Sequence, residues 1–171
     1  MTEAAPATGV EQFTEVHDRH FAEVYRYVAG RLGTQAAEDV AAETFLVAFD
    51  RRATFDRTRG DLRAWLFGIA TNLVSRHRRK EARHYRALAR IEVPRPVEGH
   101  ENRVAVAGQL GKALSRLTAG ERDVLLLVAL ADLGYAEVAE ALGISPGTVG
   151  SRLTRARKKL APVLAPEATD E

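Results

Sequence analysis

The sequence predicts an all-α protein: two small helical domains joined by a flexible linker, the C-terminal one a helix-turn-helix. Three observations predict it. β-branched residues are scattered among alanine, leucine, arginine and glutamate, and apolar positions follow helical spacing almost throughout. A stretch over residues 91–101 collects two prolines, a glycine and three glutamates, the composition of a connector and not of a helix. Residues 135–160 read as two helices around a three-residue turn, the second basic on its outer side.

The elements follow in order. Phe13, Val16, Phe21, Val24, Tyr25 and Val28 mark a first helix ending near Gly30, and a second runs from about Gln35 to Phe49 with Thr34 as its cap. A loop over residues 51–60 precedes Asp61, which opens a third helix reaching about Arg90. Its inner stripe is Leu62, Trp65, Leu66, Ile69, Ala70 and Leu73. Residues 104–117 form a fourth helix, and Thr118 with Glu121 has the spacing of a capping box before the apolar run Val124 to Leu130. In the last pair, Tyr135, Val138, Ala139 and Leu142 form one stripe that ends at Gly143. Ser145 caps the final helix, Pro146 fills its first turn, and Val149, Leu153, Ala156 and Leu160 face inward. The expected organisation is a disordered tail over 1–10, a first domain over 11–90, a linker over 91–103, a helix-turn-helix domain over 104–161 and a C-terminal tail over 162–171.

With 171 residues, 46% of them hydrophobic, the chain can bury a core. The absence of cysteine excludes a disulfide framework, a thiolate zinc site and a thiol switch within it. The first ten residues lack the basic start and apolar core of a signal peptide, and the longest apolar run, Val124 to Ala131, is too short to cross a bilayer. A cytoplasmic protein with no membrane insertion is expected.

A net charge of +2 is weak for a nucleic-acid binder, but the charges are segregated. Glu38, Asp39, Glu43 and Asp50 make the second helix acidic, with no basic residue among them. Asp39 and Glu43, four apart, repel each other by a few tenths of a kcal/mol, roughly, as a surface shaped for a basic partner would. On the third helix Asn72, Ser75, Arg76 and Arg79 share one face with Gly68 and Thr71, and the basic run continues through Arg83. Amides and hydroxyls leading into cations suit a surface that follows phosphates while touching bases. Phe55, among polar and basic loop neighbours, is placed to stack an unpaired base. On the final helix Thr148, Ser151, Arg152, Arg155, Lys158 and Lys159 lie outside with no acidic residue among them, as in a helix that enters a major groove. His17, Asp18 and His20 are too sparse for a metal site, no cofactor motif occurs, and enzyme chemistry has no visible seat.

Three stretches together resemble one family. Residues 37–49, 61–73 and 135–160 look like parts of regions 2 and 4 of the extracytoplasmic-function sigma factors, within the sigma-70 family of bacterial RNA polymerase initiation factors. The resemblance implies that Asp39 and Glu43 dock on the β′ clamp helices of core RNA polymerase, with the β subunit as a further contact. It implies that Phe55, Asn72, Ser75, Arg76 and Arg79 hold the unpaired -10 strand of promoter DNA. Thr148, Ser151, Arg152, Arg155 and Lys158 would read the -35 element as duplex. An anti-sigma factor is implied as a further partner. Family members often carry glutamine where this chain has Ala42, and a cation where it has Gly150. By residue chemistry alone, a dimeric helix-turn-helix regulator and a small RNA-binding helical protein stay open as alternatives.

Overall fold

Glycine decides where the first helix stops. In the computed structural model, which describes residues 9–88 and 110–164, α1 (Gly9–Leu32) runs past Gly30 and breaks only at Gly33. Gly33 has φ +85°, a conformation that costs glycine little and other residues more, and α2 (Thr34–Asp50) begins at the next residue. Thr34, expected as the cap, is therefore the first helical residue, and no side chain caps α2. Gly30 has a packing role instead: a Cβ there would lie 2.7 Å from Leu130 Cδ1.

A 3-10 turn (Arg52–Thr54) and a short loop lead to α3 (Leu62–Leu88), where Asp61 Oδ1 accepts from the Arg63 amide at 2.9 Å. The capping box is present as expected, with Thr118 Oγ1 accepting from Glu121 N and Glu121 from Thr118 N. It follows helical residues 110–115 (α4) and starts α5 (Ala119–Ala131). The left-handed Gly143, φ +64°, closes α6 (Tyr135–Leu142), and Ser145 Oγ accepts from Thr148 N at the start of α7 (Pro146–Leu164). Among the described residues every regular element is helical. The expected linker, and most of both tails, lie outside them.

Burial on α3 differs from the one-sided stripe. Leu66, Ile69, Ala70 and Leu73 are buried, whereas Leu62 and Trp65 are only partly so. The opposite side is buried too, at Ala64, Phe67, Gly68, Thr71 and Val74. The reason is tertiary: α1 and α2 pack on one side of α3, and α6 packs on another. The halves share one continuous core, in which Val24, Tyr27, Phe45 and Phe67 join Val124, Leu127, Val138, Val149 and Leu153. A smaller cluster of Ala113, Leu117, Ala156 and Leu160 seats α4 against α7.

Polar groups buried where the halves meet are bonded in a definite order. Thr71 Oγ1 donates to Phe67 O at 2.7 Å, so the Tyr27 hydroxyl, 2.9 Å away, donates to Thr71. Arg31 Nη1 then donates to Tyr27 Oη at 2.7 Å, and its Nη2 donates to Asp123 of α5 at 2.8 Å. Burial pushes the Tyr27 phenol above its ordinary pKa, against the opposing pull of Arg31, so it remains a neutral donor. A second arginine spans the same junction. Arg63 donates to Glu23 (2.9 Å), Glu137 (3.2 Å) and the Ala131 carbonyl (2.6 Å).

Glu121 supports a pH-dependent part of the stability. Lys159, 2.7 Å away, and the Thr118 amide hold its carboxyl below the usual carboxylate range. A depressed folded pKa contributes stability that is full above the ordinary value of about 4.3 and lost as pH falls through the folded value. Glu121→Gln should therefore lower the melting temperature at about pH 7, with the gap to the parent closing towards about pH 3. Thermal melts at both pH values check this, and an equal gap would mean that Lys159 contributes nothing.

Candidate nucleic-acid and partner surfaces

The loop before α3 is shaped by its own side chains. Asp56 Oδ1 accepts from the Thr58 amide at 2.9 Å and hydroxyl at 2.6 Å, which keeps the carboxylate ionised and its pKa below the usual range. This turn presents Phe55, whose ring lies 4.9 Å from that of Trp65 at 31°. The pair forms a wall shared by two clefts. One, about 480 Å³, lies towards α1 and is lined by Phe13, Val16 and Arg52. The other, about 410 Å³, brings Phe55 and Trp65 together with Asn72, Arg51 and Arg59.

The expected single-strand set is thereby divided. Phe55 and exposed Asn72 line the same cleft despite their separation in sequence. Arg76 and Arg79 are exposed but line a neighbouring groove with Lys80, Arg83 and Glu43 of α2. Ser75 is half-buried and lines neither. Gly68 and Thr71, read from the sequence as part of this polar face, are core: a Cβ on Gly68 would fall 2.5 Å from the Ala141 carbonyl oxygen. Trp65, whose stripe position argued mostly for core, is half-buried at the cleft wall. The signal that could have flagged it is its place one turn after the loop that carries Phe55.

On α2, Asp39 and Glu43 are both exposed. Between Glu43 and Asp50, Leu46 is 66% exposed, a large apolar side chain not expected to matter from the sequence. Its signal was available: it falls outside the inward register of Val40, Ala41, Thr44, Phe45 and Ala48.

The α7 set is also uneven. Ser151, Arg155 and Lys158 are exposed, with Arg155 Nε donating to Ser151 O at 3.3 Å. Thr148 is half-buried, its hydroxyl 2.9 Å from that of Ser145. Arg152, expected to face outward, is half-buried and lies over α5's first turn, where a Cβ on Gly120 would be 2.7 Å from its Nη1. Lys159 is bound to Glu121. Tyr135, expected inward, is 47% exposed, with its ring 4.0 Å from where a Cβ on Gly150 would be, so no steric demand explains that glycine. Among the described residues no cluster of metal-ligating side chains occurs, and no helix is long and apolar enough to cross a membrane.

Known proteins share both halves. Residues 16–84 match the model of Sigma-70 region 2, and residues 107–160 that of Sigma-70 region 4. The chain is 33% identical over 174 residues to the ECF RNA polymerase sigma factor BldN of Streptomyces coelicolor, covering 98% of this chain and 66% of that protein. It is 34% identical over 148 residues to the ECF RNA polymerase sigma factor SigC of Mycobacterium tuberculosis, covering 81% of this chain and 75% of the relative. The structure of CnrH in complex with the cytosolic domain of CnrY resembles it with TM-score 0.63 and 27% identity, over 89% of this chain and 86% of that one. CnrH is known from Cupriavidus metallidurans.

The aromatic wall can be probed directly, because Trp65 is the sole tryptophan. Phe55→Ala removes the ring stacked on it. The emission of Trp65 should shift to the red and stability should fall by about 1 kcal/mol. Fluorescence and thermal melts check this, and an unshifted spectrum would show that the stack does not form in solution.

Proposed function

The chain belongs to the extracytoplasmic-function branch of the sigma-70 family of RNA polymerase sigma factors, and on that premise we propose how its surfaces divide the work of transcription initiation. Core polymerase is bound through α2, the -35 element is read as duplex through α7, and the melted -10 strand is held by Phe55, Asn72, Arg76 and Arg79. The chain itself catalyses nothing; it supplies binding energy.

The observation that carries this reading is the second cleft. It sets an exposed amide, Asn72, beside the Phe55–Trp65 pair, with the cations of Arg51 and Arg59 at its edge. Aromatic faces hold unpaired bases by stacking, an amide can read a base edge, and guanidinium groups neutralise phosphates. A surface of that chemistry prefers single strands, and a ligand-binding preference for the open state shifts the duplex equilibrium towards opening. Arg76 and Arg79, one groove away, extend the positive track along α3.

On α7, Arg155 and Lys158 supply phosphate contacts, and Thr148 and Ser151 face the groove at the helix start. Arg152 would have to leave Gly120 to join them. On α2, Asp39 and Glu43 meet the basic side of the β′ clamp helices, and Leu46 fills an apolar pocket between them. CnrH was solved with the cytosolic domain of CnrY, which supports an anti-sigma protein as a further partner here.

Two tests follow. Asn72→Ala should slow open-complex formation on duplex promoter DNA but leave a pre-melted bubble nearly unaffected, whereas Arg155→Ala should weaken duplex binding and reduce its logarithmic salt slope by about 1. Equal loss for Asn72→Ala on both templates would rule out the single-strand role. Reversing Asp39 and Glu43 to lysine should weaken binding to core polymerase at least about tenfold, since like charges facing across an interface cost several kcal/mol. Unchanged affinity in a titration of labelled protein with core would remove α2 from that interface.

A further inference from the structure

Gly150 is a glycine that its own chain does not require. It stands inside α7, away from the positive-φ conformations that Gly33 and Gly143 adopt. Its surroundings leave room for more: the nearest atom to a Cβ built there is Tyr135 Cε2 at 4.0 Å, an ordinary van der Waals distance. Glycine inside a helix is nevertheless less stable than alanine, because its backbone loses more freedom on folding. Neither conformation nor packing explains the residue, which leaves close approach by something outside the chain. Tyr135, the first residue of α6, is 47% exposed although its ring lies against α7 at this position. The ring edge and the bare backbone of Gly150 therefore make an apolar notch on the outer side of α7. The groups that flank it are turned onto the protein itself. Ser151 Oγ donates to Thr148 O at 3.1 Å, and Thr154 Oγ1 donates to Gly150 O at 2.9 Å. Arg152 lies over Gly120, and Arg155 Nε donates to Ser151 O.

From this geometry we infer that Tyr135 and Gly150 together are specificity-determining residues, a notch that takes the C5-methyl group of one thymine in the upstream duplex element. The inference rests on the reading of α7 as the duplex reader given above. In the major groove thymine is set apart by its methyl group, which apolar groups recognise, whereas guanine and adenine are told apart by bidentate hydrogen bonds from long polar side chains. At the notch the helix presents carbon and no free cation, so a methyl is the base-edge group that suits it. With no side chain at residue 150, a base edge can approach the backbone of α7 closely. The methyl then fills the space that a Cβ would occupy against the Tyr135 ring. Cytosine, lacking that methyl, leaves the space empty. The first helix of the pair thus takes part in readout and does more than hold the second in place.

The test uses the full chain assembled with core polymerase, and the probe is duplex DNA. Duplexes of randomised sequence retained by this holoenzyme define the upstream element. Each of its thymines is then replaced singly by deoxyuridine, which lacks only the methyl. One replacement should weaken binding about fourfold, the worth of one buried methyl group, and the others should change it little. That loss should disappear in Tyr135→Ala and in Gly150→Ala, while Tyr135→Phe, which keeps the ring, should retain it. Gly150→Ala carries a second signature: the melting temperature of the free chain should rise even as thymine recognition falls. A merely structural role for the pair would change binding to the thymine and deoxyuridine duplexes alike. If no thymine is sensitive to the replacement, or if the sensitivity survives either alanine variant, the notch is overturned while α7 remains the duplex reader. If instead Arg155→Ala leaves both the enriched element and its affinity unchanged, it is the assignment of α7 that fails, and the notch falls with it.

Discussion

The whole arrangement depends on how closely one backbone can approach another at Gly68. This residue lies in the middle of α3, where glycine weakens a helix by roughly 1 kcal/mol relative to alanine. Any larger residue would collide with the Ala141 carbonyl, because even a Cβ would come within 2.5 Å of it. The missing side chain lets α6 sit on α3 opposite α1 and α2, and so buries the first half of α3 on most sides, with Asn72 left exposed. The remaining junctions follow from that seat. Leu130 reaches Gly30, α5 lies along α1, and the cores of the two halves become one.

Polar side chains fix the register of this junction in a way apolar contact could not. A guanidinium presents donors in a rigid fork, so Arg63 can hold Glu23, Glu137 and the Ala131 carbonyl only if α1, α5 and α6 are all in place. Arg31 is the more demanding case, being nearly fully buried. Leaving such a charge unpaired inside a protein costs several kcal/mol, so its bonds to Tyr27 and Asp123 are required rather than ornamental. Were the halves to part, Arg31 and Asp123 would gain water in place of each other. Parting would also expose the apolar core that the halves share, so the polar groups set the register while that core holds the junction closed.

Charge works by location. A net charge of +2 conceals an acidic outer face on α2, a basic second half of α3 and a basic exposed side of α7. At physiological ionic strength charges are screened over about 8 Å, so each surface acts on what touches it and is nearly blind to the others. At the groove between α2 and α3 opposite signs share a wall, where Glu43 lies with Arg76 and Arg79. The basic track on α3 therefore begins beside the surface assigned to the polymerase.

Much was legible in the sequence, for local reasons. Helical periodicity, the Thr118–Glu121 capping box, the Gly143 stop and the Ser145 cap are all decided within a few residues, and each is present. The inward stripe of α7 was legible too, since Val149, Leu153, Ala156 and Leu160 are all buried. The same local logic misplaced Gly68 and Thr71 on a polar face, Tyr135 in the core and Arg152 in solvent. Small and polar residues opposite an apolar stripe look solvent-facing unless a second element is known to cover them. The fate of the Asn72 face was beyond the sequence, because it depends on α6, some seventy residues further on. Residue types fixed what each face is able to bind; only the packing of α6 on Gly68 decided which faces meet each other and which remain open to a partner.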